Sequence, residues 1–230
     1  MERVPTKVTV HRIPQRAVYD RAVIDAILDE ALICHVGFVH DGHPFVIPTI
    51  HAREGDRLYL HGSPASRMPR ELGRGIPVCI TVTLLDGIVL ARSAFHHSMN
   101  YRSVVILGTA ETITDPGAKL RALTAIVDHV IPGRSADARP PNDKELASTS
   151  VLAVSLDEVS GKIRTGPPVD AADDLDLRVW AGVLPVSLTA GEPVADEEVP
   201  PGVELPEYLA RLQPRPRSHW DQGGSVRSRS

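Results

Sequence analysis

The chain has 230 residues, 42% hydrophobic and only 4% aromatic, with a formal net charge of -4. That length fits one large domain or two small ones, and the core must be built from Val, Ile, Leu and Ala. No basic stripe runs through the body of the chain, which argues against a dedicated nucleic-acid binder, and no apolar run reaches the ~18 residues that read as a membrane span.

Residues 1–15 form a mixed polar arm without the apolar segment of a secretory signal, so the chain reads as cytoplasmic. Residues 18–31 read as a helix, with Val23, Ile24, Ile27, Leu28 and Ala31 on one face and the aspartates mostly elsewhere. Strands follow. Residues 32–39 run apolar into His40-Asp41-Gly42-His43, whose Asp-Gly step is a hairpin signal. Residues 44–53 and 57–61 are the next two strands, joined at Glu54-Gly55-Asp56. Gly62-Ser63-Pro64 stops the second. Ser66 then stands as the N-cap of a short helix over 67–74. A strand feeding a helix that starts with a Ser and an Arg is suited to an anion. The same pattern also fits a capped surface helix with a solvated Arg67.

Further on, residues 77–85 and 88–91 flank a second Asp-Gly pair, Asp86-Gly87, which reads as another hairpin. Residues 101–113 form a long strand, with Gly108 marking a bend or bulge. Asp115-Pro116 opens a helix whose stripe is Leu120, Leu123, Val127 and Val130, and Pro132-Gly133 closes it. Residues 133–144 read as a polar loop, 151–156 as a strand, 160–176 as loop, and 178–186 as a last strand or turn around Trp180. Beyond about residue 192 the composition shifts to Pro, Glu, Arg and Ser, and residues 218–230 are expected to be disordered. Cys34 and Cys79 both lie in apolar runs and read as buried free thiols. Short strands with Asp-Gly hairpins and two good helices, without a GxGxxG or Walker loop, predict a mainly β fold: an antiparallel barrel with peripheral helices.

Three stretches, taken in order, resemble a known family: Pro44 to Thr49 followed by Leu58-Tyr59-Leu60-His61-Gly62-Ser63 and Ser66-Arg67; then Asn100-Tyr101-Arg102-Ser103 with Val104 to Gly108; then Trp180-Ala181-Gly182-Val183-Leu184-Pro185. Together they are similar to the flavin-binding split-barrel proteins related to pyridoxamine 5′-phosphate oxidase, within the branch of nitroimidazole-resistance-type proteins. The resemblance implies a split-barrel domain over residues 1–190, a proline- and arginine-rich tail over 191–230, and a homodimer with FMN at the subunit interface. It implies that Ile47, Pro48 and Thr49 lie along the isoalloxazine edge. His61, Gly62 and Ser63 would line the ribityl chain and ring, and Ser66 and Arg67 would take the 5′-phosphate. Arg102 and Ser103 would approach from the neighbouring subunit, and Trp180 would cap the pocket. The implied activity is that of an oxidoreductase acting on a small molecule through flavin N5.

Two departures weaken oxidation of pyridoxamine phosphate as the reaction: Met68 stands where the oxidase has a basic residue, and no Arg-x-His signature follows near Trp180. Other readings are a flavin or haem carrier without turnover, and a reductase using a deazaflavin. His96-His97, with His61, His51 and His35, raise a metal or haem site. Ordinary hydrogen-bonded histidines are the commoner explanation, because neighbours on a strand point to opposite faces. Ser63 has no His/Asp partners by spacing, so a hydrolase triad is unsupported, and no catalytic residue is named.

Overall fold

The computed structural model describes residues 7–210. They fall into two compact units, one of residues 7–84 and 101–164, the other of residues 85–100 and 165–210. The first six residues of the expected arm and the expected tail beyond residue 210 lie outside the described residues.

The first unit runs β1 (Ala17–Val18), α1 (Arg21–Glu30), β2 (Ile33–His40), β3 (His43–Ile50), β4 (Ala52–Glu54), β5 (Arg57–Gly62), α2 (Arg67–Leu72), most of β6 (Pro77–Leu90) and of β7 (Ser98–Thr112), α3 (Pro116–Val130), α4 (Arg134–Asp137), α5 (Asp143–Ala147), β8 (Ser150–Ser155) and β9 (Val159–Arg164). The sheet order is β3-β2-β6-β7-β8-β5-β4, with β9 pairing β7 and β1. The registered pairs are antiparallel. The expected mainly β, split-barrel architecture with peripheral helices is the one observed.

Local chemistry explains the elements that were expected. Asp20 caps α1 by accepting from the Ala22 and Val23 amides, and Ile24, Ile27 and Leu28 are buried beneath it. Asp41 (φ 50°) and Gly42 (φ 75°) form the two-residue turn between β2 and β3, where both central residues need positive φ. β3 contains Pro44 and Pro48, and it is an edge strand, the place where a missing N–H is tolerated. Asp115 accepts the Ala118 amide at 2.7 Å and starts α3.

Several elements differ from expectation. Residues 44–53 are two strands, broken at His51, which is fully buried. Asp86-Gly87 is no hairpin: β6 runs through it. β7 is unbroken at Gly108, which sits between the stretch pairing with β9 (Tyr101 to Ile106) and the stretch pairing with β8 (Ala110 to Thr112). Residues 160–164, expected as loop, belong to β9, and the polar stretch from 133 contains α4 and α5, the latter opened by an Asn142–Glu145 capping box. On α3 the buried positions are Ala122 and Ile126 while Leu120 and Val127 stay exposed; the small Ala122 lets the helix lie close against β4, β5 and β8.

The second unit holds the end of β6, the turn to β7, a strand β10 (Gly182–Pro185) and a short α6 (Glu207–Ala210). β10 pairs antiparallel with residues 87–90. Every member of the contiguous buried apolar cluster belongs to the first unit. The second unit leaves Phe95, Val169, Val179, Trp180, Leu184 and Leu188 exposed.

Candidate functional site

In the first unit the expected residues concentrate where β5 passes into α2. His61 closes β5 opposite Val151, and Gly62 sits opposite Ser150. The His61 ring is half-buried, its Nδ1 is buried without a hydrogen-bond partner, and burial lowers its pKa below the ordinary histidine value. A Cβ on Gly62 would meet Pro69 Cγ at 2.8 Å, so the glycine is what lets α2 seat on β5. The connecting turn is closed by Ser63: its carbonyl accepts the Ser66 amide at 2.9 Å and its Oγ accepts the Ala65 amide at 3.3 Å. Ser66 holds the N-cap position, but its hydroxyl makes no cap bond, which corrects the capping expected of it. Arg67 is exposed, and its guanidinium carbon lies 4.4 Å from the centroid of the Phe45 ring. That contact steadies the cation without using its N–H groups. Arg67 has no ion pair among the described residues, so its planar fork remains available to an anion.

Phe45 belongs to β3, so the same contact ties Arg67 to the strand that carries Ile47, Pro48 and Thr49. These three pair with Val36, His35 and Cys34 on one side and have the open sheet edge on the other. Arg102 and Ser103 each make a contact within the chain. Arg102 is buried and its guanidinium grips both carboxylate oxygens of Glu30, at the end of α1. Ser103 Oγ donates to the Lys162 carbonyl at 3.2 Å. Both side chains are therefore tied into the packing of their own chain, and sequence reading missed Glu30 as the partner.

The histidines separate. His51 is buried, with Nε2 3.1 Å from the Leu28 carbonyl and its ring 4.9 Å from that of His129, whose own Nε2 lies 2.7 Å from the Ala31 carbonyl. Burial first, and the neighbouring His129 second, push the His51 pKa down to about 4. His35 faces outward on β2. Cys34 and Cys79 are free thiols, and burial pushes Cys34 up to about 12. A depression of about 500 Å³ beside β5, β7 and β8 is lined by Asp56, Glu111 and Asp157 among others and includes none of the expected site residues.

In the second unit Trp180 is 68% exposed, so it is not core, and a Cβ on Gly182 would lie 2.9 Å from its ring. His96 and His97 do not lie on a strand as expected; a 3-10 turn over Ala94–His96 carries them. His97 Nδ1 is 2.9 Å from the Ser93 carbonyl, and the His96 ring stands edge-on to Phe95. The turn is entered through Arg92, whose amide and guanidinium both donate to Asp170 at 2.8 Å. No group of three or more His, Cys, Asp or Glu suited to a metal ion occurs among the described residues. No described helix is long and apolar enough to cross a membrane.

The pyridoxamine 5′-phosphate oxidase family profile matches residues 20–163. A flavocytochrome from Azotobacter vinelandii is 41% identical, with a TM-score of 0.87 over 93% of this chain and 99% of that one. A FAD- and haem-binding protein from Mycobacterium smegmatis is 39% identical, with a TM-score of 0.83 over 86% of this chain and 98% of that one. A structure from Bacteroides thetaiotaomicron, assigned to 5-nitroimidazole antibiotic resistance, matches less well: 31% identity and a TM-score of 0.55 over 64% of this chain and 86% of that one. No curated protein matches the chain.

Proposed function

Since the chain belongs to the pyridoxamine 5′-phosphate oxidase family, we propose that it is a two-cofactor electron carrier that holds a flavin and a haem. The observation that carries this reading is the reach of the likeness. Coverage of 93% at 41% identity cannot be met by residues 20–163 alone, so the similarity to a flavocytochrome extends beyond the part matched by the family profile. This reading ranks a haem-containing flavin carrier ahead of an amine oxidase or a nitroreductase.

The first unit offers a fit for the flavin. Arg67, steadied on Phe45, has an unused guanidinium for a phosphate, and the buried Nδ1 of His61 lacks a partner. The edge of β3 at Ile47, Pro48 and Thr49 can present backbone groups to the ring, while Gly62 and Ser63 shape the turn between. FAD is preferred to the FMN expected from sequence, because the Mycobacterium smegmatis relative binds FAD. FAD contains the same riboflavin 5′-phosphate, so the role of Arg67 is unchanged. When bound, the flavin would supply one- or two-electron transfer and the haem iron one-electron transfer; the protein's part is to hold both and to exclude water.

Purified full-length protein should show flavin absorption together with a Soret band, and flavin released by heating should chromatograph as FAD. A preparation with neither chromophore that takes up neither on reconstitution would overturn the reading. Released FMN would restore the cofactor first expected.

Two copies pair in this reading. The outward faces of β2 and β3 expose Ile33, Val39 and Val46, an apolar surface that a second copy would cover. Sedimentation equilibrium should give twice the 24.9 kDa chain mass, and a monomer would remove the pairing.

A further inference from the structure

The turn between β6 and β7 carries a histidine prepared for a metal that brings most of its own ligands. We infer that His97 is an axial ligand to the haem iron through Nε2; the assignment rests on the haem reading above.

A neutral imidazole has one N–H and one lone pair. The Ser93 carbonyl, 2.9 Å from His97 Nδ1, can only accept, so Nδ1 must donate to it. That bond fixes the tautomer and leaves the lone pair on Nε2, the arrangement found behind metal-bound histidines. The ring is exposed and Nε2 has no partner among the described residues. Three of the other histidines have their Nε2 engaged. His51 and His129 use Nε2 on the Leu28 and Ala31 carbonyls, and both ring nitrogens of His40 lie near carboxylates. His43 is anchored in the same way, to the Asp41 carbonyl, but sits beside the polar Asp41-Gly42 turn.

Two further features suit a porphyrin. Its own four nitrogens already hold the iron, so a single protein nitrogen suffices. The macrocycle is flat and apolar and needs apolar cover. Within two residues of His97 lie Phe95, 91% exposed, and Met99, 53% exposed, the kind of side chains such a face would bury. The turn is also anchored. The amide and guanidinium of Arg92 converge on Asp170, whose side chain is 1% exposed, immediately before the Ser93 that holds the histidine.

The test is titration of the full chain with haemin, followed by absorption and by electron paramagnetic resonance of the ferric state. Wild type should bind haemin saturably with a histidine-ligated spectrum. His97→Ala should lose that spectrum and bind at least tenfold more weakly, and free imidazole should restore the signature. His43→Ala should behave as wild type, with circular dichroism confirming the fold of both variants. An unchanged spectrum and affinity in His97→Ala would overturn the ligand assignment while leaving haem binding intact. Loss without rescue by imidazole would assign His97 a packing role and overturn it as well. Wild type that takes up no haemin would overturn the haem reading itself, and the assignment with it.

Discussion

Arg67 was visible in the sequence as a cation at a strand-to-helix turn, but its steadying partner was not. Phe45 lies 22 positions earlier on another strand, and only the fold brings the ring to 4.4 Å from the guanidinium. Arg67→Ala should weaken flavin affinity by roughly 2 kcal/mol, a loss of 10- to 100-fold, as expected for a charge-assisted phosphate contact; fluorescence titration measures it. Arg102 teaches the opposite lesson, since its motif was legible while its engagement with Glu30 at the end of α1 was not. His51 was one histidine among many until burial singled it out. Its pKa is lowered from 6.5 to about 4, so the unfolded chain binds the proton more tightly. The stability tied to its neutral form is complete above the unfolded value and drains away as pH falls from 6.5 towards 4. Between neutral pH and pH about 4.5 this amounts to roughly 2–3 kcal/mol. Urea melts should show wild type losing about that much more than His51→Asn over the same interval.

Among the elements, most with a local cause are legible in the sequence, α5 with its Asn142–Glu145 capping box being the exception, and those decided by a distant neighbour are not. Asp41-Gly42 and Asp115-Pro116 impose a turn and a helix start by themselves. Asp86-Gly87 carries the same signal as the first pair, yet β10 pairs along it and holds the chain extended. Glycine is needed there for a different reason: a Cβ on Gly87 would come within 2.9 Å of Val183 Cγ1 and 3.2 Å of the Leu184 carbonyl. Gly87→Ala should therefore cost about 1–2 kcal/mol by crowding β10. Hydrogen exchange at residues 182–185 should accelerate, and protection equal to wild type would show that the strand gives way without loss. On α3 the stripe of Leu120, Leu123, Val127 and Val130 is offset from the buried face, because the helix seats through Ala122 and Ile126.

For the molecule as a whole, the location of the apolar cluster matters most. All of it lies in the first unit, while the second has a strand pair, the Arg92–Asp170 anchor and many exposed apolar side chains. Without ligands, amides of residues 165–210 should exchange faster than those of β2, β7 and β8, and adding haemin and FAD should slow them selectively. Uniform protection across both units would contradict this. Composition alone gave no sign of the division, since the apolar fraction is ordinary and only three-dimensional pairing reveals which side chains find neighbours. In the first unit, β3 is an edge strand that contains two prolines. At Pro44 and Pro48 this outermost strand has no hydrogen to offer, so an added extended peptide loses two ladder bonds along it. Edge-to-edge pairing between copies, the step from which fibrils grow, is thereby interrupted at two positions along β3.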